Sequence, residues 1–218
     1  MRLGMVIDLA RCVGCYSCTL ACKQGNFLPP SIFWNRVLIS ERGKYPAVTK
    51  LIYPVLCNHC KDAACVRVCP TSATTRREDG IVLIDENKCV GCRYCLIACP
   101  YQQRYFYSAK ARDRGYHSGQ GLTAYEKLGR QVYPLQAGVV MKCTLCADRI
   151  DGGLERGLKP GIDREATPIC VNACPASARY FGDLDNPYSD VSGLISAKKG
   201  YQLHPEFGTD PSVYYLSY

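Results

Sequence analysis

Cysteines are the residues of this chain whose number and spacing point most directly to chemistry. The chain has sixteen of them in 218 residues, so they must form disulfides, bind metal or remain as an unusual set of free thiols. They fall into four groups of four: Cys12, Cys15, Cys18 and Cys22; Cys57, Cys60, Cys65 and Cys69; Cys89, Cys92, Cys95 and Cys99; and Cys143, Cys146, Cys170 and Cys174. The spacing within the groups decides between these uses.

Groups one and three both read C-x2-C-x2-C-x3-C, and the last cysteine of group three is followed by Pro100. In bacterial ferredoxins this run binds iron-sulfur clusters: three thiolates hold one cluster and the fourth binds its neighbour. Groups two and four have a longer gap between their second and third cysteines, but they keep the outer spacings and the final Cys-Pro. A longer loop leaves the ends that meet the metal in place. The sequence therefore predicts four clusters, all of the 4Fe-4S type.

Two other uses of the cysteines fit this spacing less well. Structural zinc sites also use C-x2-C pairs, but a third cysteine two residues later, followed by C-x3-C-P, is not a zinc pattern. Disulfide frameworks are typical of small secreted chains, and cysteines this close together are poorly placed to bridge to one another. His59 lies inside a ligand loop and is interpreted as a hydrogen-bonding loop residue rather than as a cluster contact.

Internal repeats indicate which elements position the cysteines. Residues 7–15 recur as residues 84–92, each a short strand that enters a cysteine loop, and residues 65–73 recur as residues 170–178. Short helices are expected after the loops, for example from Cys18 to Cys22 and from Cys95 to Cys99.

A β-hairpin is predicted between groups one and two. Its strands are expected at residues 36–40 and 49–53, with the turn at residues 41–44. Residues 101–133 receive no firm structure, and a short extended piece is expected near residues 213–215.

The exchange of the fourth cysteine predicts ligand sets once the groups are paired, but the spacing alone leaves the pairing open. Pairing the adjacent groups two and three is economical and leaves groups one and four together. The sets, numbered by cluster, are then set 1, Cys12, Cys15, Cys18 and Cys174; set 2, Cys143, Cys146, Cys170 and Cys22; set 3, Cys57, Cys60, Cys65 and Cys99; and set 4, Cys89, Cys92, Cys95 and Cys69.

The formal charge of +8 would by itself favour nucleic acid or an anionic membrane as a partner. An oxidised 4Fe-4S cluster with four thiolates carries about −2, so four clusters would offset this charge. The 27 Lys and Arg residues are therefore interpreted as compensation for cluster charge. No basic run or aromatic base-stacking motif supports nucleic-acid binding.

Targeting signals are not visible in the sequence. We find no secretory signal, no twin-arginine pattern and no apolar window of about 18 residues that could span a membrane. The expected chain is soluble or peripheral to a membrane. The compartment, cytoplasmic or periplasmic, stays open because a signal-bearing partner can export such a subunit.

The four-group pattern resembles the four-cluster ferredoxin-like subunit of the dimethyl sulfoxide reductase superfamily. The resemblance covers nearly the whole chain and includes residues 5–8 before group one, 56–60 in group two and 142–146 in group four. Within the superfamily the chain is most similar to the small subunits of arsenate, thiosulfate or polysulfide reductases and of pyrogallol transhydroxylase.

This resemblance implies an α+β fold of two bacterial-ferredoxin-like modules, each with two 4Fe-4S clusters, related by pseudo-symmetry and extended by an inserted β-hairpin region and long loops. It agrees with the pairing of group one with group four. The expected units are an outer module at 1–56 and 134–200, an inserted module at 57–100, an insertion at 101–133 and an extended C-terminal tail at 201–218. The insertion and the tail are candidate partner contacts because interfaces favour Tyr and Arg.

The resemblance also implies a non-catalytic electron-transfer subunit that carries electrons to or from a large catalytic subunit with molybdenum or tungsten bis-pterin. Set 1 would lie nearest that cofactor and set 4 farthest from it. A membrane anchor or quinone-reactive subunit is a further candidate partner, and a free-standing polyferredoxin is the alternative function. Four basic residues close to ligands are candidates for raising cluster potentials: Arg11, Lys88, Arg93 and Lys142.

Overall fold

The structure, a computed structural model, describes residues 1–112, 115–117 and 119–217. In that part of the chain the strands are β1 (Leu3–Asp8), β2 (Asn35–Lys44), β3 (Ala47–Leu56), β4 (Thr74–Arg76), β5 (Val82–Ile84), β6 (Tyr105–Phe106), β7 (Val140–Met141), β8 (Arg179–Asp183) and β9 (Val213–Leu216). The α-helices are α1 (Ser17–Gly25), α2 (Ala64–Arg67), α3 (Tyr94–Ile97), α4 (Ala109–Arg112), α5 (Ala124–Val132), α6 (Ala147–Leu154), α7 (Ile169–Asn172) and α8 (Asp190–Ala197). Short 3-10 turns lie at Arg164–Ala166 and Pro205–Phe207.

The core is built around β1, whose six residues are all buried. This strand lies in the middle of a three-stranded sheet, antiparallel to β8 and parallel to β9. Met5 stands opposite Phe181 on one side and Val213 on the other. A strand buried on both faces needs a hydrogen-bonding neighbour at each edge, and residues from the far end of the chain supply both.

The C-terminal segment differs from its description as an extended tail outside the modules. The expected extended piece is β9, and Tyr215 within it is completely buried. The Tyr215 hydroxyl donates a hydrogen bond to the carbonyl of Pro54 at 2.9 Å, and Tyr201 forms a bridge to the same residue. Residues 201–217 therefore pack into the core.

The predicted hairpin is confirmed as β2 paired with β3 in an antiparallel register from Asn35 opposite Leu56 to Lys44 opposite Ala47. Its turn was wrongly expected at residues 41–44, which belong to β2; the chain turns at Tyr45 and Pro46 instead. Proline lacks the N–H that a ladder needs and is suited to a turn. The base of the hairpin is buried and its tip is exposed.

Two strand pairs connect the cysteine groups. The strand before group one, β1, pairs with β8, which follows group four. The strand before group three, β5, pairs in the same antiparallel sense with β4, which follows group two. The repeats even share a hydrogen bond: Asp8 N–H donates to Ala178 O and Asp85 N–H donates to Ala73 O, both at 2.8 Å.

Residues 101–133, which the sequence left without an assignment, contain β6, α4 and α5 in their described part. Helix α5 begins with a capping box, in which the Thr123 side chain accepts from the Glu126 N–H and the Glu126 carboxylate accepts from the Thr123 N–H. Gly129 lets this helix pack closely on Phe27. Residues 113, 114 and 118 lie outside the described residues.

Within the described ranges, no helix has the length and apolar character needed to cross a lipid bilayer.

Candidate cluster-binding site

The loops of groups one and three have the same backbone. Gly14 and Gly91 both have φ +68°, a left-handed conformation that favours glycine. The next-but-one residues, Tyr16 and Arg93, follow at φ +62° and +65° and begin helices α1 and α3. The expected helices are present, and α1 continues beyond Cys22 to Gly25. The repeated sequence thus folds into a repeated loop that turns successive cysteines in one direction.

Two of the four predicted sets each line a single cavity. The cysteines of set 1, from both ends of the chain, surround one cavity together with Arg179. The cysteines of set 4 surround a second cavity together with Thr74 and Val140. In both cavities the fourth cysteine comes from the partner group, Cys174 in the first and Cys69 in the second.

The cysteines of sets 2 and 3 are also neighbours. Burial raises the pKa of Cys22 well above its usual value, and the thiols of Cys143, Cys170 and Cys146 raise it further. Burial likewise raises the pKa of Cys60 to about 12, with contributions from the other three thiols of its set, Cys57, Cys65 and Cys99. Each group of four thiols is thus close enough to interact electrostatically.

Exposure differs along the series of sets. Cys15 and Cys92, in sets 1 and 4, are exposed, whereas Cys143 and Cys170 of set 2 are buried. A hydrogen bond with the Ser17 hydroxyl, at 3.3 Å, lowers the pKa of Cys15. Sets 1 and 4 therefore reach the surface, and set 2 is enclosed.

Backbone amides donate to several of the sulfur atoms. The N–H of Thr74 lies 3.4 Å from Cys69 Sγ, and the N–H of Ala178 lies 3.3 Å from Cys174 Sγ, at matching positions of the second repeat. Burial opposes ionisation of Cys69, but this bond and those from Thr71 lower the pKa of its thiol. Amide donors to sulfur stabilise negative charge on the ligand and tune iron-sulfur centres.

These residues fit iron-sulfur clusters. All sixteen cysteines carry free thiols, and thiolates are the soft ligands that such clusters require. Among the described residues no three Cys, His, Asp or Glu side chains converge on one point, as ligands of a single ion would. The thiols of sets 1 and 4 instead face each other across cavities, an arrangement suited to a larger group.

Of the four basic residues predicted near ligands, only Lys142 is buried, with 2% of its surface exposed. Lys88 is exposed and pairs with Asp85 at 3.5 Å. Arg93 stacks over the ring of Phe106, 3.8 Å from its centroid, and Arg11 contacts the hydroxyl of Tyr180 at the surface. These three side chains have partners other than the sulfur atoms.

Two buried arginines next to the cysteines were missed by the sequence interpretation. Arg104 and Arg179 are each 5% exposed. Burial opposes the charge of Arg179, but the thiols of Cys170 and Cys18 raise the pKa of its guanidinium. Neither arginine belongs to a cysteine motif; the only sequence signal was the excess of 27 Lys and Arg over 19 Asp and Glu.

His59 is completely buried and acts as the expected loop hydrogen-bonding residue. Its Nδ1 accepts from the backbone N–H of Val82 at 3.0 Å. Burial lowers the pKa of His59 well below its ordinary value, and the charges of Lys142 and Arg104 lower it further. The ring is therefore neutral and links the group two loop to β5.

Comparisons with known proteins agree with this geometry. A family model described as a 4Fe-4S dicluster domain matches residues 48–114. A Halobacterium salinarum protein provisionally named as an iron-sulfur subunit of dimethyl sulfoxide reductase is 44% identical over 98% of this chain and 78% of its own length. The iron-sulfur subunit of the arsenate respiratory reductase of Shewanella sp. strain ANA-3 is 40% identical over 99% and 96%, respectively. A sulfite dehydrogenase subunit of Allochromatium vinosum is 39% identical over 99% and 82%.

The fold and the site thus define a ferredoxin-like 4Fe-4S protein of mixed short helices and strands. The chain belongs to the family of iron-sulfur subunits of the dimethyl sulfoxide reductase superfamily, the molybdopterin oxidoreductases. It is an electron-transfer subunit rather than a catalytic one. This confirms the class of function predicted from the cysteine spacing.

Proposed function

We propose that the chain carries electrons through a series of four 4Fe-4S clusters, held by sets 1 to 4, to or from a large catalytic subunit with molybdenum or tungsten bis-pterin. A 4Fe-4S cluster supplies one-electron oxidation and reduction when bound. The protein positions the sulfur ligands, excludes water from the middle of the series and donates amide hydrogen bonds to the thiolates.

The observation that carries this proposal is the meeting of distant cysteines. Cys174 reaches the cavity of group one and Cys69 reaches that of group three, as the exchange of fourth ligands requires. The pairing of β1 with β8 and of β4 with β5 supports two pseudo-symmetric modules. The outer module is built from residues 1–56 and 134–200 and the inner one from 57–100; β9 extends the sheet of the outer module.

The direction of the series follows from exposure. The exposed cysteines Cys15 and Cys92 belong to sets 1 and 4, so electrons enter and leave at these two ends. We assign set 1 to the catalytic subunit and set 4 to a second electron partner, such as a membrane anchor or quinone-reactive subunit. Residues 101–133 supply a further candidate contact, where Tyr125 and Val132 are exposed.

Metal and sulfide analysis of the anaerobically purified chain tests the cluster count. Four clusters require about sixteen iron and sixteen sulfide ions per chain, and dithionite reduction should produce low-temperature EPR signals of interacting cubanes. About four zinc ions with little iron would overturn the proposal. Expression with its neighbouring gene products tests the partner: a large pterin-binding subunit should copurify, whereas a stable chain that binds none would favour a free-standing polyferredoxin.

A further inference from the structure

Three cations are buried in the interior without an acidic partner. Arg179 and Arg104 are 5% exposed and Lys142 is 2% exposed. Among the described residues, none of the three forms an ion pair with Asp or Glu. An uncompensated charge in a protein interior is strongly destabilising. Each cation therefore needs negative charge from another source.

Arg179 lies between set 1 and set 2. Its side chain lines the cavity of set 1, and its charge acts on Cys18 of that set and on Cys170 of set 2. The guanidinium is held in place by Asn35, whose Oδ1 accepts from Nη2 at 3.1 Å. The charge is thus shared by two sets and fixed by a neutral partner.

Arg104 has the same relation to sets 3 and 4. Its charge acts on Cys65 of set 3 and on Cys95 of set 4, which its side chain also contacts. Nη1 donates to the hydroxyl of Thr74 at 3.2 Å, whereas Nη2 is buried without a hydrogen-bond acceptor among the described residues. Thr74 occupies the position in the second repeat that Arg179 occupies in the outer module. The two modules thus place a guanidinium at corresponding points from different parts of the chain.

Lys142 lies at the remaining junction, between set 2 and set 3. Its Nζ donates to the carbonyl of Cys143 at 2.7 Å and to the carbonyl of Val82. Val82 belongs to the inner module and Cys143 to the outer one, so the ammonium joins the two. Its charge acts on Cys143 of set 2 and on Cys65 of set 3.

We propose that Arg179, Lys142 and Arg104 are shared counter-ions, one at each junction between successive clusters, and that each raises the potentials of the two clusters between which it lies. This inference rests on the proposed ligand sets. A nearby positive charge favours the reduced state of a cluster because that state is more negative. A shared cation acts on both neighbours in the same sense, which keeps their potentials close and makes electron transfer between them nearly thermoneutral.

Neutral variants of the full, cluster-loaded chain test this inference by redox titration followed by low-temperature EPR. Single Cys→Ser variants first assign each signal to a set. Arg179→Gln should lower the midpoint potentials of sets 1 and 2, Lys142→Gln those of sets 2 and 3, and Arg104→Gln those of sets 3 and 4. Each variant should leave the other two potentials unchanged, and Arg179→Lys and Arg104→Lys should keep potentials near those of the parent.

Lys88→Gln is the matched control because Lys88 precedes Cys89 as Lys142 precedes Cys143 but is exposed to solvent. It should leave all four potentials unchanged. Neutral variants that shift no potential, shift all four equally or shift non-adjacent sets would overturn the proposal. If one variant does not retain four clusters, the other two decide, since any two predict different pairs. A parent chain with fewer than four clusters would contradict the proposed function itself; four clusters with unshifted potentials would contradict only the shared counter-ions.

Discussion

At the scale of single residues, the fourth cysteine of each group connects parts of the chain that are far apart in sequence. Cys174 lies at the cavity of Cys12, Cys15 and Cys18, although more than 150 residues separate them. Cys22, in contrast, belongs to group one by sequence but lies with the thiols of group four. A substitution at either position should therefore act on a cluster that sequence proximity would not indicate.

We predict that Cys174→Ser and Cys15→Ser perturb the same EPR signal and that Cys22→Ser perturbs a different one. Loss of one thiolate weakens the cluster to which it binds and leaves the other ligand sets intact. Low-temperature EPR of the three reduced variants, with iron content measured in parallel, makes the comparison. If Cys22→Ser altered the signal that Cys15→Ser alters, each group would bind its own cluster and the exchange would be disproved.

The matched glycines of the two repeated loops give a second prediction. Both have φ +68°, so alanine at either position costs about 1–2 kcal/mol in backbone strain. At Gly91 the new methyl group would also overlap the backbone carbonyl of Gly138, whereas at Gly14 it would meet only the flexible Ile52 side chain at 3.2 Å. Gly91→Ala should therefore lower stability and iron content more than Gly14→Ala. Denaturant unfolding under anaerobic conditions measures this, and equal losses would contradict the steric explanation.

How much of the site could be predicted depends on how local each signal is. The spacing of Cys12 and Cys15 is set by the chemistry of one loop, so sequence inspection found it. Arg104 and Arg179 act through contacts with cysteines that are distant in sequence or belong to another group, and an arginine in a polar sequence carries no mark of its burial. Lys142 was predicted only because it adjoins Cys143.

At the scale of elements, β9 is the segment whose role the sequence least revealed. Its four residues have no distinctive period, and they become a strand only because β1 presents an open edge to them. The β2–β3 hairpin was predictable because both strands and their turn lie within one stretch of chain, yet Pro46 rather than residues 41–44 fixed the turn. Nonlocal pairing is thus the main source of error in the predicted fold.

The burial of Tyr215 in β9 leads to a third prediction. Tyr215→Ala should lower the free energy of unfolding by about 3–5 kcal/mol, the usual cost of deleting a buried aromatic side chain. Tyr215→Phe keeps the ring but loses the hydrogen bond to Pro54, which should cost about 1 kcal/mol. Tyr188→Ala, at a side chain that is 94% exposed, is the control and should change stability by less than about 0.5 kcal/mol. A Tyr215→Ala variant as stable as this control would show that β9 is dispensable.

At the scale of the whole molecule, charge and folding are coupled. The formal charge of +8 includes three buried cations near the cysteines, and the bound clusters supply the opposite charge. Without them the interior would combine unpaired cations with sixteen unligated thiols. Metal binding and folding should therefore be a single transition.

We predict that removal of iron by an anaerobic chelator abolishes the tertiary structure of the chain. Near-UV circular dichroism should disappear and a hydrophobic dye should bind, as expected when the core around β1 loses its packing. Reconstitution with iron and sulfide should restore both signals, which serves as the control for irreversible damage. An iron-free chain with the parent spectrum would show that the protein folds independently of its clusters.

The position of β1 has a consequence for synthesis in the cell. This strand is among the first residues to leave the ribosome, yet both of its partners, β8 and β9, are among the last. All eight cysteines of sets 3 and 4 lie between residues 57 and 99, so the inner module can receive its clusters while the nascent chain still lacks Cys174. Cluster delivery should then proceed from the inside outwards, and the surface that meets the catalytic subunit at set 1 should be completed last, only after nearly the entire chain has been translated.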